Sequence, residues 1–103
     1  MIVVVSQAWT LDDAEHAAEY VRLYTEFLDF HRRHQGFKGR KLIRGIEDRT
    51  HFTNLRFFDS VESYEELIKF EGYGDHIMKL GEHLKPYTTN PKEYMEVILE
   101  DEI

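Results

Sequence analysis

A few polar side chains stand where the pattern of the sequence predicts burial, and these residues are the ones able to do chemistry. Asn54 interrupts the run HFTNLRFF, Tyr64 and His76 follow in helical segments, and Gln7 interrupts the apolar opening of the chain. An amide, a phenol and an imidazole that face an apolar pocket can bind a ligand oxygen and move a proton. We therefore take Asn54, Tyr64 and His76 as candidate catalytic residues. The structural alternative is that Asn54 bonds to backbone and that Tyr64 belongs to the core.

The sequence gives little support to metal or thiol chemistry. It contains no cysteine, which excludes disulfides, thiolate nucleophiles and thiolate metal ligands. His31 and His34 are three residues apart on a predicted helix, but two arginines lie between them and no third ligand is evident. We predict no metal site, and we assign His31-Arg32-Arg33-His34 to a solvated helix end whose positive charge suits the helix dipole.

The strand and helix that position Asn54 and Tyr64 are the clearest elements of the sequence. His51–Phe58 is rich in aromatic and β-branched residues, which predicts a strand. A period of two assigns its side chains to two faces, Phe52, Asn54, Arg56 and Phe58 on one and Thr53, Leu55 and Phe57 on the other. Both faces are largely apolar, so the strand needs cover on each side. A helix over 60–70 follows, with Asp59 as its expected cap and Glu62 as the reciprocal partner.

The remaining segments complete an alternating order. In chain order the sequence predicts a strand over 2–9, a helix to about residue 34, strands over 37–46 and 51–58, helices over 60–70 and 75–84, an irregular loop over 86–91 and a strand over 93–100. Thr10 is the expected cap of the first helix, and Gly36 is its expected stop. The strand over 37–46 carries basic residues, which is typical of an edge strand protected by charge.

The first helix is apolar around more than half of its circumference. Its predicted stripe consists of Ala14, Ala17, Ala18, Val21, Tyr24 or Thr25, and Leu28, widened by Tyr20, Leu23, Phe27 and Phe30. Small residues near its start favour close packing. The aromatic residues near its end favour a gap that is filled by side chains or lined for a ligand.

The order strand, helix, strand, strand, helix, strand is that of a ferredoxin-like α+β fold with a four-stranded antiparallel sheet. Right-handed crossovers place both helices on one face of such a sheet. The strands are nevertheless apolar on both faces. Face-to-face pairing with a second copy of the chain would bury the other face, so we predict a homodimer.

Composition excludes several classes of partner. The 103 residues carry a net charge of −7, which argues against nucleic acid and against an anionic membrane surface. The opening MIVVV is too short for a signal peptide, and no apolar run approaches the length of a membrane span. We expect a cytoplasmic protein.

The segment GFKGRKLIRGIEDRTHFTNLRFFDSVESYEELIKFEGYGDHI resembles the dimeric α/β-barrel superfamily and, within it, the antibiotic biosynthesis monooxygenase domains. In that family a G-F-x-G strand opening leads to a strand that ends in an aromatic residue. An acidic or serine cap, a helix with an aromatic residue and a histidine-containing segment then follow. The order of elements extends the likeness over nearly the whole chain. It implies a single domain, 1–103, that pairs as a dimeric α/β barrel.

The resemblance also implies an activity. Family members with known activity oxidise polyketide-type or quinone-like aromatics with dioxygen, using neither metal nor flavin, and hold the ring in a dry pocket between helices and sheet. Their strand Asn, the aromatic residue four positions on and their helix Tyr correspond to Asn54, Phe58 and Tyr64, although Phe58 stands where the relatives carry Trp. The residues expected to bind a small aromatic ligand are Gln7, Trp9, Tyr24, Phe27, Phe58 and Tyr73.

Two other functions stay open. A haem-degrading branch of the superfamily carries an Asn at the place of Gln7 and an iron-binding His near His76, which makes haem the alternative cofactor. Its catalytic Trp falls near Leu67, so the chain departs from that pattern at two positions, and the organic ligand is favoured. A non-catalytic dimeric binding module is the third function, because a fold does not determine a function.

Overall fold

The computed structural model describes residues 1–86 and 92–102. The elements follow the predicted order, with each crossover divided into two helical segments. In chain order they are β1 (Ile2–Trp9), α1 (Ala14–Glu26), α2 (Leu28–Arg32), β2 (Phe37–Arg44), β3 (His51–Phe58), α3 (Val61–Leu67), α4 (Tyr73–Gly81) and β4 (Glu93–Glu96). The predicted loop over 86–91 lies outside the described residues from position 87 onward.

The four strands form one antiparallel sheet in the order β2-β3-β1-β4. The interior strand β1 pairs with β3 from Ile2 opposite Phe58 to Trp9 opposite His51, and with β4 on its other side. The basic strand β2 lies at the edge, as predicted. This topology confirms the ferredoxin-like α+β fold.

The two faces of the sheet differ in their cover. On one face, strand residues and helix residues form two buried clusters, one of Val4, Phe30, Phe58, Tyr64, Leu67 and Tyr73 and one of Ala8, Ala17, Tyr20, Phe52 and Leu80. On the other face the apolar side chains of β1 and β3 are only partly buried, namely Val3, Val5, Leu55 and Phe57. The helices therefore cover one face only, and an apolar surface remains open on the other. We call this second surface the open face.

The long helix predicted to reach residue 34 is interrupted at Phe27. That residue has φ −86° and ψ 5°, and its N–H donates to the Tyr24 carbonyl three residues earlier, a tightened last turn. The buried stripe of α1 consists of Ala17, Tyr20 and Tyr24. The predicted positions Ala14, Ala18 and Val21 are exposed, so the buried stripe is narrower than predicted.

The cap of α1 differs from the prediction because a tertiary contact uses the predicted residue. Asp13 is the N-cap, and its carboxylate accepts a hydrogen bond from the Glu15 N–H at 3.2 Å. Thr10 is instead fully buried and forms an isolated bridge with Leu84. The first helix consequently begins four residues beyond Thr10.

The cap of α3 also differs by one residue. Ser60 is the N-cap and accepts from the Ser63 N–H at 3.2 Å, while the carboxylate of Asp59 accepts from the Ser63 hydroxyl at 2.5 Å. Gly36, with φ +92°, ends the α2 turn against this cap, and a Cβ there would lie within 2.6 Å of Asp59 Oδ1. Only glycine combines that backbone conformation with so close an approach.

The last elements are shifted or shorter than predicted. α4 begins at Tyr73, directly after Gly72 at φ +100°, and β4 ends at Glu96. Among the described residues, no helix is long and apolar enough to cross a membrane.

Candidate functional site

A cavity of about 170 Å³ lies between the covered face of the sheet and the helices. Strands β1 and β3 form its floor, and α1, α2 and α4 form its walls. The strands contribute the polar side chains of Ser6, Asn54 and Arg56, and the helices contribute Tyr20, Tyr24, His31, Tyr73 and His76. The rest of the wall includes apolar side chains such as Ala8, Ile77 and Leu80. An apolar cavity with a few convergent polar groups is the usual form of a small-molecule site.

Tyr24 of α1 reaches across this cavity to Asn54 of β3. Its hydroxyl donates to Asn54 Oδ1 over 2.6 Å. Burial raises the pKa of Tyr24, an effect opposed by the charges of Arg40 and Arg56, so the hydroxyl stays protonated and acts as the donor. Because Oδ1 accepts this bond, the group that Asn54 offers to a ligand is its NH₂ donor.

Arg40 of β2 holds Tyr24 from the opposite side. Its guanidinium carbon lies 4.1 Å from the centre of the tyrosine ring. Its nitrogens donate to the backbone carbonyls of Tyr24 and Thr25 at 2.5 and 3.2 Å. These carbonyls are in the last turn of α1, where helix carbonyls run short of partners within the helix, and the Tyr24 carbonyl also accepts from the Phe27 N–H. Arg40 therefore does more than protect the sheet edge, because it fixes the ring that carries the cavity hydroxyl.

Arg56 of β3 places a buried positive charge beside the cavity. The residue is 4% exposed. Its terminal nitrogens donate to the hydroxyls of Tyr73, Ser6 and Tyr64 at 3.2, 3.3 and 3.5 Å. Its Nε atom is buried and has no hydrogen-bond partner among the described residues. A guanidinium is always charged in proteins, so this cavity carries a permanent cation whose described partners are neutral.

Two histidines border the cavity in their neutral form. Burial lowers the pKa of His31 to about 4, assisted by the charges of Arg56 and Arg40 and opposed by a hydrogen bond to the Phe27 carbonyl. Burial likewise lowers the pKa of His76 to about 4. His76 stacks on Phe27 with ring centres 3.6 Å apart and an interplanar angle of 3°. Both imidazoles are uncharged at neutral pH and can act as hydrogen-bond acceptors.

The buried state of His31 predicts acid sensitivity. Its usual pKa is near 6.5 and its folded pKa about 4, so below pH 6.5 the unfolded chain takes up a proton that the folded chain does not. The free energy of unfolding should fall across this window, and His31 should account for about 2 kcal/mol of the fall at about pH 4.5. Urea unfolding at the two ends of the window measures it. The control is His31→Asn, which retains a donor for the Phe27 carbonyl, and equal pH dependence in both proteins would contradict the prediction.

The charge of the cavity is opposite to that of the chain. Although the protein carries a net charge of −7, none of the described residues that line the cavity is acidic. Two of them, Arg56 and Lys92, are basic. Across the described chain no group of three or more His, Asp or Glu residues is placed to hold a metal ion. The site therefore favours an anionic or acidic ligand over a cation.

Comparison with known proteins identifies the fold. No family model matches the chain, and no curated protein matches it. It is similar to SnoaB, a cofactor-independent oxygenase from Streptomyces nogalater, with a TM-score of 0.74 and 14% identity over 99% of this chain and 95% of SnoaB. Proposed antibiotic biosynthesis monooxygenases from Deinococcus radiodurans and Bordetella bronchiseptica have TM-scores of 0.76 and 0.78. Their identities are 17% and 15%, over 100% and 95% of this chain and 98% and 97% of theirs. The chain has the antibiotic biosynthesis monooxygenase fold.

Five predicted site residues line the cavity, namely Gln7, Tyr24, Asn54, Tyr73 and His76. They come from β1, α1, β3 and α4, so only tertiary packing brings them together. Phe27 stands beside them as the stacking partner of His76. The side chain of Gln7 alternates onto the open face, where its Oε1 accepts from Thr53 at 2.6 Å and from His51 at 2.7 Å, so Gln7 offers no side-chain group to the cavity.

Apart from Phe27, three predicted site residues do not line the cavity. Trp9 alternates onto the open face of the sheet, where it stacks on His51 with ring centres 4.3 Å apart. Phe58 and Tyr64 are fully buried in the core, 5.4 Å apart between ring centres. Tyr64 affects the cavity only through Arg56, because its ring lies 4.9 Å from the Arg56 guanidinium.

Arg56 and His31 are cavity residues that the sequence did not lead us to select. Arg56 shares a strand face with Asn54 and Phe58, and a charge within that apolar face was the available signal. His31 was assigned to a solvated helix end, but it is 3% exposed. The buried positions Tyr20 and Tyr24 lead at helical spacing through residue 27 to residue 31, so periodicity pointed His31 inward.

Proposed function

We propose that this protein binds a planar, acidic aromatic molecule, polyketide- or quinone-like, in the cavity between helices and sheet. The bound anion reacts with dioxygen, and the protein uses neither metal nor flavin. The observation that carries this proposal is the hydrogen-bonded pair of Tyr24 and Asn54 on the cavity wall, next to the buried cation of Arg56. The similarity of the fold to SnoaB, a cofactor-independent oxygenase, supports it.

The proposed reaction balances with dioxygen as the only oxidant. A ring CH₂ next to a carbonyl loses a proton to give an anion, which transfers an electron to dioxygen. Recombination forms a hydroperoxide, and loss of water leaves a new carbonyl. One oxygen atom of dioxygen enters the substrate, and the other leaves as water. The chain contributes by stabilising the anion with fixed donors and by keeping water away from it.

Asn54→Ala removes the NH₂ donor that would meet the substrate oxygen, and Tyr24→Phe removes the hydroxyl that orients this amide. Each change should lower kcat/KM by about 10- to 100-fold, which corresponds to the ~1–3 kcal/mol of a hydrogen bond lost in a dry site. Oxygen uptake with phenolic and anthrone-like compounds, in buffer containing a chelator and no flavin, measures the effect. Tyr94→Phe is the control, because Tyr94 is half exposed on β4 and does not line the cavity.

Two results would overturn this proposal. Wild-type protein that binds these compounds but takes up no oxygen would be a non-catalytic binding module. Turnover that is unaffected in both the Asn54 and Tyr24 variants would place the reaction elsewhere in the molecule.

The haem alternative fits the structure less well. The cavity of about 170 Å³ is below the usual range of even drug-sized sites, which begins at about 300 Å³. The residues do not form a haem site, and no reaction step is assigned to haem.

We also propose that two chains pair through their open faces. The support is the contrast between strand residues on the two sides of the sheet. Val4, Phe52 and Phe58 are buried by helices, whereas Val3 and Leu55 on the other side are only partly buried. An apolar surface that spans adjacent strands is typical of a protein interface. A closed two-fold pair would bury it on both copies.

A further inference from the structure

Two buried nitrogen atoms at the cavity have no hydrogen-bond partner. They are Nε of Arg56 and Nε2 of His31, and within the described chain they are the only buried side-chain nitrogen or oxygen atoms in this state. Both residues line the same cavity. Buried polar groups are nearly always paired in proteins, so two unpaired groups at one cavity indicate a missing ligand.

The two atoms require different hydrogen-bonding groups on that ligand. Nε of Arg56 is an N–H donor on a permanent cation, and it calls for an anionic acceptor. His31 donates from Nδ1 to the Phe27 carbonyl at 3.2 Å, which leaves a lone pair on Nε2. That lone pair calls for a proton donor. A hydroxyl group that ionises on binding satisfies both requirements.

The surroundings of His31 keep its Nε2 available. It is faced by Arg40 from β2, by Arg56 from β3 and by His76 from α4, together with the carbonyl of Phe27. None of these groups is anionic. The imidazole therefore enters the binding step neutral, and a bound anion would be the first negative charge beside it.

The size of the cavity limits the ligand. Its volume is about 170 Å³. An apolar protein cavity of about 150 Å³ accommodates benzene. One substituted ring therefore fills this cavity, whereas three fused rings would extend out of its mouth or need the walls to move apart.

We infer that the cavity binds a single-ring phenol or a cyclic enol of similar size as its anion, with the oxyanion on Arg56 and the proton on His31 Nε2. This inference rests on the proposed function and narrows its substrate class. In the binding step the ligand O–H bond breaks, and its electron pair stays on oxygen. The proton forms a bond to Nε2, and the oxyanion lies between the imidazolium and the guanidinium. No oxidant takes part.

4-Nitrophenol is a direct probe, because its phenolate absorbs visible light and its neutral form does not. We expect the apparent pKa of the bound probe to be lower than that of the free probe by about one unit or more, a tenfold preference for the anion. 4-Nitroanisole has the same ring but cannot ionise, and it should bind at least about tenfold more weakly. Equal affinity for the two compounds would overturn the inference.

Two variants separate the roles of the residues. Arg56→Met keeps the side-chain volume and removes the charge. Buried ionic sites often tolerate such a replacement. This variant should abolish the lowering of the probe pKa. Arg56→Lys should restore part of it. In His31→Asn, mixing with neutral probe in weak buffer should release a proton for each phenolate formed, whereas the wild-type protein retains that proton. Circular dichroism confirms that each variant is folded.

Other outcomes are equally decisive. An unchanged probe pKa in folded Arg56→Met overturns the anion site, and equal proton release by the wild-type and His31→Asn proteins overturns the role of His31. Tighter binding of a three-ring hydroxyanthracene than of 4-nitrophenol overturns the size limit. Oxygen consumption tests the proposed function separately: phenolate binding without oxidation refutes the oxygenase only, and oxidation without phenolate binding refutes this inference only.

Discussion

Val5→Asp should convert a paired protein into monomers. Val5 lies in the interior strand β1 on the open face, opposite Leu55 of β3 and Glu93 of β4. In a face-to-face pair the new carboxylate would be buried against apolar side chains and next to an existing acidic residue. An unpaired buried charge costs about 3 kcal/mol or more, and two-fold symmetry applies the cost twice. Like charges directly opposite on neighbouring strands add to it.

Sedimentation velocity at micromolar concentration measures this effect. The wild-type protein should sediment at twice the chain mass of 12.4 kDa, and Val5→Asp at that mass. Ile46→Asp is the matched control, because it makes the same change in charge at a residue that is 89% exposed and outside the strands. A wild-type protein that is a folded monomer at this concentration would remove the proposed interface.

The fold was predictable because its signals are local. Each strand shows its own alternation, and β3 combines a period of two with an abrupt change to helical spacing after Phe58. The order of elements then restricts the topology to few choices, because crossovers are right-handed. The uncovered face followed from the same alternation, since Val3 and Val5 are as apolar as Val4.

The predicted details that were wrong depend on contacts between residues that are far apart in the sequence. Thr10 and Asp13 are both good helix caps, and the choice between them is made by the bridge from Thr10 to Leu84. The interruption at Phe27 leaves the helical periodicity nearly intact, so no local pattern reveals it. Tertiary contacts override weak local preferences of this kind.

The candidate site was only partly predictable for the same reason. Tyr24 and Asn54 could each be placed on a buried face, but the bond between them joins residues 30 positions apart. Arg56 was missed because charged residues on strands usually face solvent. Arg56 indicates a binding site only once the structure shows that its side-chain partners are three hydroxyls and that none of them is a carboxylate.

Phe58→Ala should destabilise the fold strongly and leave the cavity residues in place. Phe58 is 0% exposed and packs edge-on against Phe37 and Tyr64, with ring centres 5.6 and 5.4 Å away. Truncating a buried phenylalanine removes its transfer free energy and leaves a cavity, at a cost of about 3–5 kcal/mol. Urea unfolding measures the loss. Phe70→Ala, at a residue that is 55% exposed, should change stability by less than about 1 kcal/mol.

The same variant separates a core role for Phe58 from the substrate contact that family resemblance implies. Phe58 does not line the cavity, so folded Phe58→Ala protein should bind 4-nitrophenol with an affinity close to that of the wild type. The opposite pattern, in which stability matches Phe70→Ala and probe binding is lost, would make Phe58 a ligand contact. It would also require the cavity to extend past Tyr64 toward the end of β3. That larger cavity would admit a multi-ring substrate.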